Sequence, residues 1–156
     1  VGLGVLPAFA RRQNRAASMH RLFFAIRPSA DAAAAGTALG AQLRVEMGKA
    51  VRGRPIAAER LHVTAHWLGD HPTLPEALVS QAAAAAALVD CGPFGVLFDR
   101  LGSLGNASGC AIVLESSNRL IALRAFQREL GALLGSQGLD IGERRVGKDV
   151  LDCVDL

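Results

Sequence analysis

Two stretches of this 156-residue chain go through the same order of events, and that repeat restricts the fold more than any other feature of the sequence. The first runs from an apolar segment bearing Phe and Ile, Arg21–Arg27, through a helical stretch to a second strand-like run, Leu61–Gly69. The other starts with Ala111–Glu115 and continues into a helical stretch from Asn118 to Leu134. Short runs rich in branched and aromatic side chains read as strands, and apolar residues recurring every three or four positions read as helices. Ala35, Leu39, Leu43 and Met47 recur at four-residue spacing, with Ser29 placed to cap that helix. Leu120, Leu123, Phe126, Leu130, Leu133 and Leu134 form one face of the later helix, with Asn118 as its cap and Gly135 and Gly138 at its end. Between the units, Thr73 and Glu76 have capping-box spacing ahead of a helix through the alanine tract to Val89. Strands at about Val96–Leu101 and Ala111–Glu115 flank a loop of Gly, Ser and Asn at Gly102–Gly109. The pattern predicts one more strand after Gly138.

Composition supports a real core and narrows the function classes. Hydrophobic residues make up 51% of the chain, which argues against global disorder. Aromatics are only 4%, with no Tyr and one Trp, so the core is mostly aliphatic side chains and alanine. A net charge of +3 and a pI of about 9.1 suit a phosphate-bearing ligand without establishing one. Cys91, Cys110 and Cys153 are odd in number and form no C-x-x-C, so neither a disulfide framework nor a zinc site is indicated. No apolar run is long enough to span a bilayer, and Arg11, Arg12 and Arg15 follow the apolar opening instead of preceding it as in a secretory signal. The expectation is a cytoplasmic protein with no membrane partner. Residues 1–19 are expected to be a disordered extension, since Met19 stands just before the first strand.

The chemistry concentrates in Leu61–Gly69 (L-H-V-T-A-H-W-L-G). In a regular strand Leu61, Val63, Ala65 and Trp67 share an apolar face, and His62, Thr64 and His66 share the other. Neighbours on one face stand about 6.6–6.8 Å apart along the strand. An imidazole and a hydroxyl at that spacing can straddle one phosphate, the ring moving a proton while the hydroxyl donates to a non-bridging oxygen. Histidine suits the task because its unperturbed pKa lies near neutrality. Histidine followed two residues later by threonine is also common on strand faces that simply meet water. His71 beside Pro72 reads as an exposed turn residue, and His20 has no evident partner.

The surroundings of the pair carry a resemblance. R-L-F-F-A-I, a helix, and then G-R-P-I-A-A-E-R-L-H-V-T-A-H-W-L-G-D resemble the first lobe of the 2H phosphoesterases of the RNA 2′,3′-cyclic phosphodiesterase (2′-5′ RNA ligase) type. That family is marked by two H-x-[ST] motifs, one in each of two similar lobes. The resemblance spans roughly residues 20–145. It implies a two-lobed 2H phosphoesterase-like α+β fold, with antiparallel sheets and outer helices around a central cleft. It also implies hydrolysis of 2′,3′-cyclic phosphate RNA ends to 2′-phosphomonoesters. His62 would be the proton donor and Thr64 a ligand to the phosphate. Phe24, His66 and Arg145 are the candidate substrate contacts. The partners implied are RNA ends or nucleotides with a 2′,3′-cyclic phosphate, met by a monomer that needs neither cofactor nor metal.

One part of the family pattern is missing. The second H-x-T should follow the third helix, where this chain reads Glu143-Arg144-Arg145-Val146-Gly147-Lys148-Asp149-Val150-Leu151-Asp152. Without gaps, Asp149 falls at the histidine and Leu151 at the threonine. The four histidines are His20, His62, His66 and His71, so none lies beyond residue 71. The expectation is a domain over residues 20–156 whose second lobe is incomplete, truncated or altered after about residue 145. Catalysis would then be impaired. The alternative is a non-catalytic relative that binds RNA ends or nucleotides.

Overall fold

The structure, a computed structural model, describes residues 19–48, 56–106, 109–118 and 120–139. The expected extension over residues 1–18, the strand after Gly138, the altered segment and Arg145 lie outside these residues. The elements run β1 (His20–Ile26), α1 (Ala30–Met47), a 3₁₀ turn (Ala58–Arg60), β2 (Val63–His71), α2 (Glu76–Ala86), β3 (Arg100–Asn106), β4 (Gly109–Glu115) and α3 (Ile121–Ser136). β1 pairs with β2 and β3 with β4, each pair antiparallel, giving the expected α+β arrangement.

α1 begins as expected: Ser29 Oγ accepts from the Ala32 N–H at 3.3 Å, and Asp31 sits in the first turn, where the helix dipole favours negative charge. Its packing face follows the expected stripe only in part: Leu39 and Leu43 are half-buried, while Ala35 is exposed and Met47 is 46% exposed. Ala33, outside the stripe, is the one fully buried residue, and Val45 is 83% exposed. Small residues bring the helix close near its start. A Cβ placed on Gly36 would come 3.2 Å from Leu61 Cδ1, so a hydrogen at that position lets α1 approach the start of β2.

The expected Thr73–Glu76 capping box does not form. α2 starts at Glu76, Pro75 occupies the cap position without a side-chain bond, and the helix ends at Ala86 instead of Val89. Asn118 does not cap α3 either. Its N–H donates to Ser116 Oγ at 3.2 Å, and Leu120 takes the cap position in the left-handed region, φ 48°. For a non-glycine residue that conformation costs about 1–2 kcal/mol. The other end of α3 follows expectation. Gly138 has φ 72° and the Leu139 N–H reaches the Leu134 carbonyl at 3.2 Å, a glycine-ended turn that folds Leu139 back into the core.

β3 lies later in the chain than expected, because most of the Gly/Ser/Asn run is itself strand. Gly102 pairs with Val113, and the Glu115 side chain crosses the space that a Cβ on Gly102 would fill. Glycine here makes room for a cross-strand neighbour and does not mark a loop. The main core forms where α2 and α3 pack on the β1–β2 sheet: Phe24 and Ala65 meet Ala82, Ala85, Phe126 and Leu130. Leu130 and Leu134 are 1% and 0% exposed, confirming the α3 face read from spacing. Among the described residues, no helix is long and apolar enough to cross a membrane.

Candidate active site

The register between β1 and β2 decides which side chains can act together. Leu22 pairs with Gly69, Phe23 with Trp67, Phe24 with His66, Ala25 with Thr64 and Ile26 with Val63. The partner number skips twice, so Leu68 and Ala65 are extra residues in β2, two bulges. Partners directly across a ladder share a face, and a one-residue bulge reverses the alternation beyond it. Thr64 and Trp67 therefore lie on the face of Phe23 and Ala25, while Val63 and His66 lie on the face of Phe24 and Ile26. This corrects the regular-strand reading, which put Trp67 behind the histidines and grouped His66 with His62.

His62 stands immediately before β2, half-buried. Its Nδ1 lies 2.7 Å from the Arg60 carbonyl oxygen. A carbonyl only accepts, so Nδ1 carries the proton of this bond and Nε2 is the ring's other edge. The imidazole stacks on Phe23, with centroids 5.0 Å apart and planes 29° from parallel. Phe23 in turn stacks on Trp67 at 6.3 Å and 7°. The Arg21 guanidinium lies 5.1 Å from the centre of the Trp67 ring and is held by Asp70, with Nε to Oδ1 at 3.0 Å and Nη2 to Oδ2 at 3.4 Å. Histidine, phenylalanine, tryptophan and arginine thus form one continuous stack. Thr64 is half-buried on the same face.

Two expected substrate contacts lie elsewhere. Phe24 is 6% exposed and belongs to the helix-facing core. His66 Nε2–H donates to the Gln127 carbonyl of α3 at 2.5 Å. The bulge at Ala65 is the physical reason for His66, since it puts His66 on the side opposite Thr64, and Phe24 shares that side as the ladder partner of His66. The aromatic ring beside His62 is Phe23. His71 is the last residue of β2, half-buried, and its Nε2–H donates to the Leu68 carbonyl at 3.1 Å, so it is not an exposed turn residue. His20 pairs with it across the ladder. Sequence reasoning missed the stack of Phe23, Trp67, Arg21 and Asp70, because nothing in the sequence marks the bulges that assemble it.

A cavity of about 580 Å³ is lined by Val96, Leu97, Asn118, Leu120, Ile121 and Leu123 among others, none of them His62 or Thr64. Among the described residues, no three His, Cys, Asp or Glu side chains gather as metal ligands would.

Solved structures share this arrangement of elements. E. coli LigT in apo form aligns with a TM-score of 0.63 at 21% identity, over 86% of this chain and 72% of that one. This chain has the LigT fold. LigT complexed with 3′-AMP aligns at 0.57 and 21% identity over 84% of this chain and 77% of LigT. The LigT complex with phosphate aligns at 0.56 and 23% over 74% and 64%. Neither a protein-family model nor a curated protein sequence matches the chain.

Proposed function

We propose that the chain is a 2H phosphoesterase-like protein of the RNA 2′,3′-cyclic phosphodiesterase (2′-5′ RNA ligase) type. It binds RNA ends or nucleotides bearing a 2′,3′-cyclic phosphate, as a cytoplasmic monomer. The observation that carries this reading is the bond from His62 Nδ1 to the Arg60 carbonyl in a chain with the LigT fold. With Nδ1 committed to the backbone, exchange of a proton with substrate falls to Nε2. In its protonated form, that nitrogen gives its proton to the 3′ oxygen as water attacks phosphorus and the bond from phosphorus to that oxygen breaks. The product is a 2′-phosphomonoester with a free 3′ hydroxyl. Thr64 donates to a non-bridging oxygen. Arg145 adds a charge-assisted contact to the phosphate. Structures of LigT with phosphate and with 3′-AMP support a phosphate-bearing ligand on this fold.

The attacking water must also lose a proton. No histidine follows His71 in this sequence, and the ungapped position of the second histidine holds Asp149. An ordinary carboxylate, with a pKa near 4, is a weak base at neutral pH. Loss of one partner of an acid–base pair costs a factor of about 10²–10⁴ in rate. Turnover by this chain is therefore slow while binding persists. The same missing histidine favours the second reading, a binding protein without catalysis.

The test is titration with a nucleoside 2′,3′-cyclic monophosphate alongside hydrolysis of an RNA end carrying that group. Binding that weakens about tenfold or more in His62→Ala is expected, as for loss of one charge-assisted hydrogen bond. The Asp149→His, Leu151→Thr double variant should hydrolyse faster than the parent chain. Binding without hydrolysis in either form selects the second reading. Absence of binding, with no response to His62→Ala, defeats both.

A further inference from the structure

We propose that Phe23 is a positioning residue for His62. It holds the imidazole in the plane that presents Nε2, with Trp67, Arg21 and Asp70 as its backing. The inference rests on His62 being the proton donor, but its test does not require turnover.

His62 precedes β2, so the ladder that aligns Val63–His71 does not extend to it. Its bond to the Arg60 carbonyl fixes one edge of the ring, and a hydrogen bond of itself lets a planar group swing about the bond axis. A second restraint on the face of the ring removes that freedom, and the Phe23 ring supplies it at 5.0 Å. Phe23 is itself only 7% exposed, so it cannot rotate away into solvent. Trp67 lies nearly parallel to the Phe23 ring, with centroids 6.3 Å apart, and Arg21 extends the stack, pinned by two hydrogen bonds to Asp70. The assembly depends on the bulge at Ala65. Trp67 is five residues after His62, an odd spacing that would put the two on opposite faces of a regular strand. The bulge restores them to one face, where both stack with Phe23.

A proton donor transfers only when its nitrogen is within about 2.6–3.2 Å of the receiving atom, and a misplacement of about 1 Å can cost about 10²-fold in rate. A ring locked on both edge and face meets that tolerance, and a ring held at one edge does not.

The experiment is a histidine-selective proton–nitrogen correlation spectrum of the full chain at alkaline pH, with the imidazoles neutral. The unmutated protein should show His62 as one tautomer, protonated at Nδ1, with ring protons shifted upfield by the Phe23 ring current. Phe23→Leu should move those protons downfield and mix the tautomers, while Phe23→Tyr should retain both features. Trp67→Leu should give a smaller version of the same loss. An unchanged tautomer and unchanged ring shifts in Phe23→Leu would overturn the proposal. If Phe23→Leu does not fold, the parent spectrum decides, since an Nε2-protonated tautomer or the absence of an upfield shift overturns it equally. Where hydrolysis is measurable, Phe23→Leu should lower kcat by up to about 10²-fold with KM little changed. A chain that shows the locked His62 but binds no cyclic phosphate would sink the functional reading and leave the positioning role intact.

Discussion

His66 Nε2–H donates to the main-chain carbonyl of Gln127 at 2.5 Å, a bond from the middle of β2 to the middle of α3. The pairing register turns His66 toward the helices and away from His62, so this histidine fastens the β1–β2 sheet to the helix layer. His66→Ala should remove a hydrogen bond worth about 1 kcal/mol and lower the melting midpoint by about 2–4 °C. Thermal unfolding checks this. Affinity for a cyclic phosphate should stay at the parent value, and a loss matching that of His62→Ala would place His66 in the site instead.

Leu130 and Leu134 are the two fully buried leucines of α3, in one core with Phe24 and Ala65 of the β1–β2 sheet. Either leucine changed to alanine leaves a cavity, and each variant should be destabilised by about 2–5 kcal/mol. Urea unfolding with an unchanged slope is the measurement. A cost below 1 kcal/mol would mean that α3 does not pack on this sheet.

Gly69 adopts φ 113°, and a Cβ there would come 3.0 Å from His71 Nε2, the nitrogen that donates to the Leu68 carbonyl. Backbone strain and crowding act together, so Gly69→Ala should cost about 1–3 kcal/mol. It should also displace the His71 ring resonances. Gly40 in α1 is the contrast, with nothing within 4 Å of a built Cβ and ordinary helical backbone. Gly40→Ala should stabilise the protein by about 0.5–1 kcal/mol, readable as a higher denaturant midpoint.

Asp99 receives the Ser117 N–H at 2.7 Å and the Ser117 hydroxyl, and these bonds hold its carboxyl below the ordinary value of 3.8. A carboxyl depressed in the folded state stabilises it at pH above the unfolded value, and that contribution disappears as pH falls through the folded value. Asp99→Asn should therefore lower the denaturant midpoint at neutral pH. The gap between variant and parent should close below about pH 4. A gap that stays constant into acid would mean that the carboxylate charge plays no part.

The elements themselves were legible wherever periodicity carried the information. β1, the α3 face and the glycine-ended turn at Gly138 follow from apolar spacing and from glycine's access to positive φ. That His62 and Thr64 share a face was legible, because alternation holds over two residues. The alternation failed by Trp67, since a bulge is one extra residue with no composition of its own, and the one at Ala65 moves His66 and Trp67 to the other side. Phe24 was expected beside the substrate, and the ring that stacks on His62 is Phe23. β3 was misplaced for a related reason. Glycine at 102 accommodates a neighbour's carboxylate, which only the pairing with Val113 and the crossing of Glu115 reveal. The cap of α3 went to Leu120 against its conformational preference, an outcome local propensity cannot foresee.

The seating of α1 on Ala33 and Gly36, with Val45 and Met47 left to solvent, divides the helix into an anchored first half and a second half that stands mainly on its own propensity. Regions with few buried contacts open locally at free energies well below that of global unfolding. Amide deuteration should accordingly progress inward from the Met47 end, with protection rising toward Ala33. The C-terminal turns of α1 should exchange as an independent unit, before any bond in the β1–β2 ladder is broken.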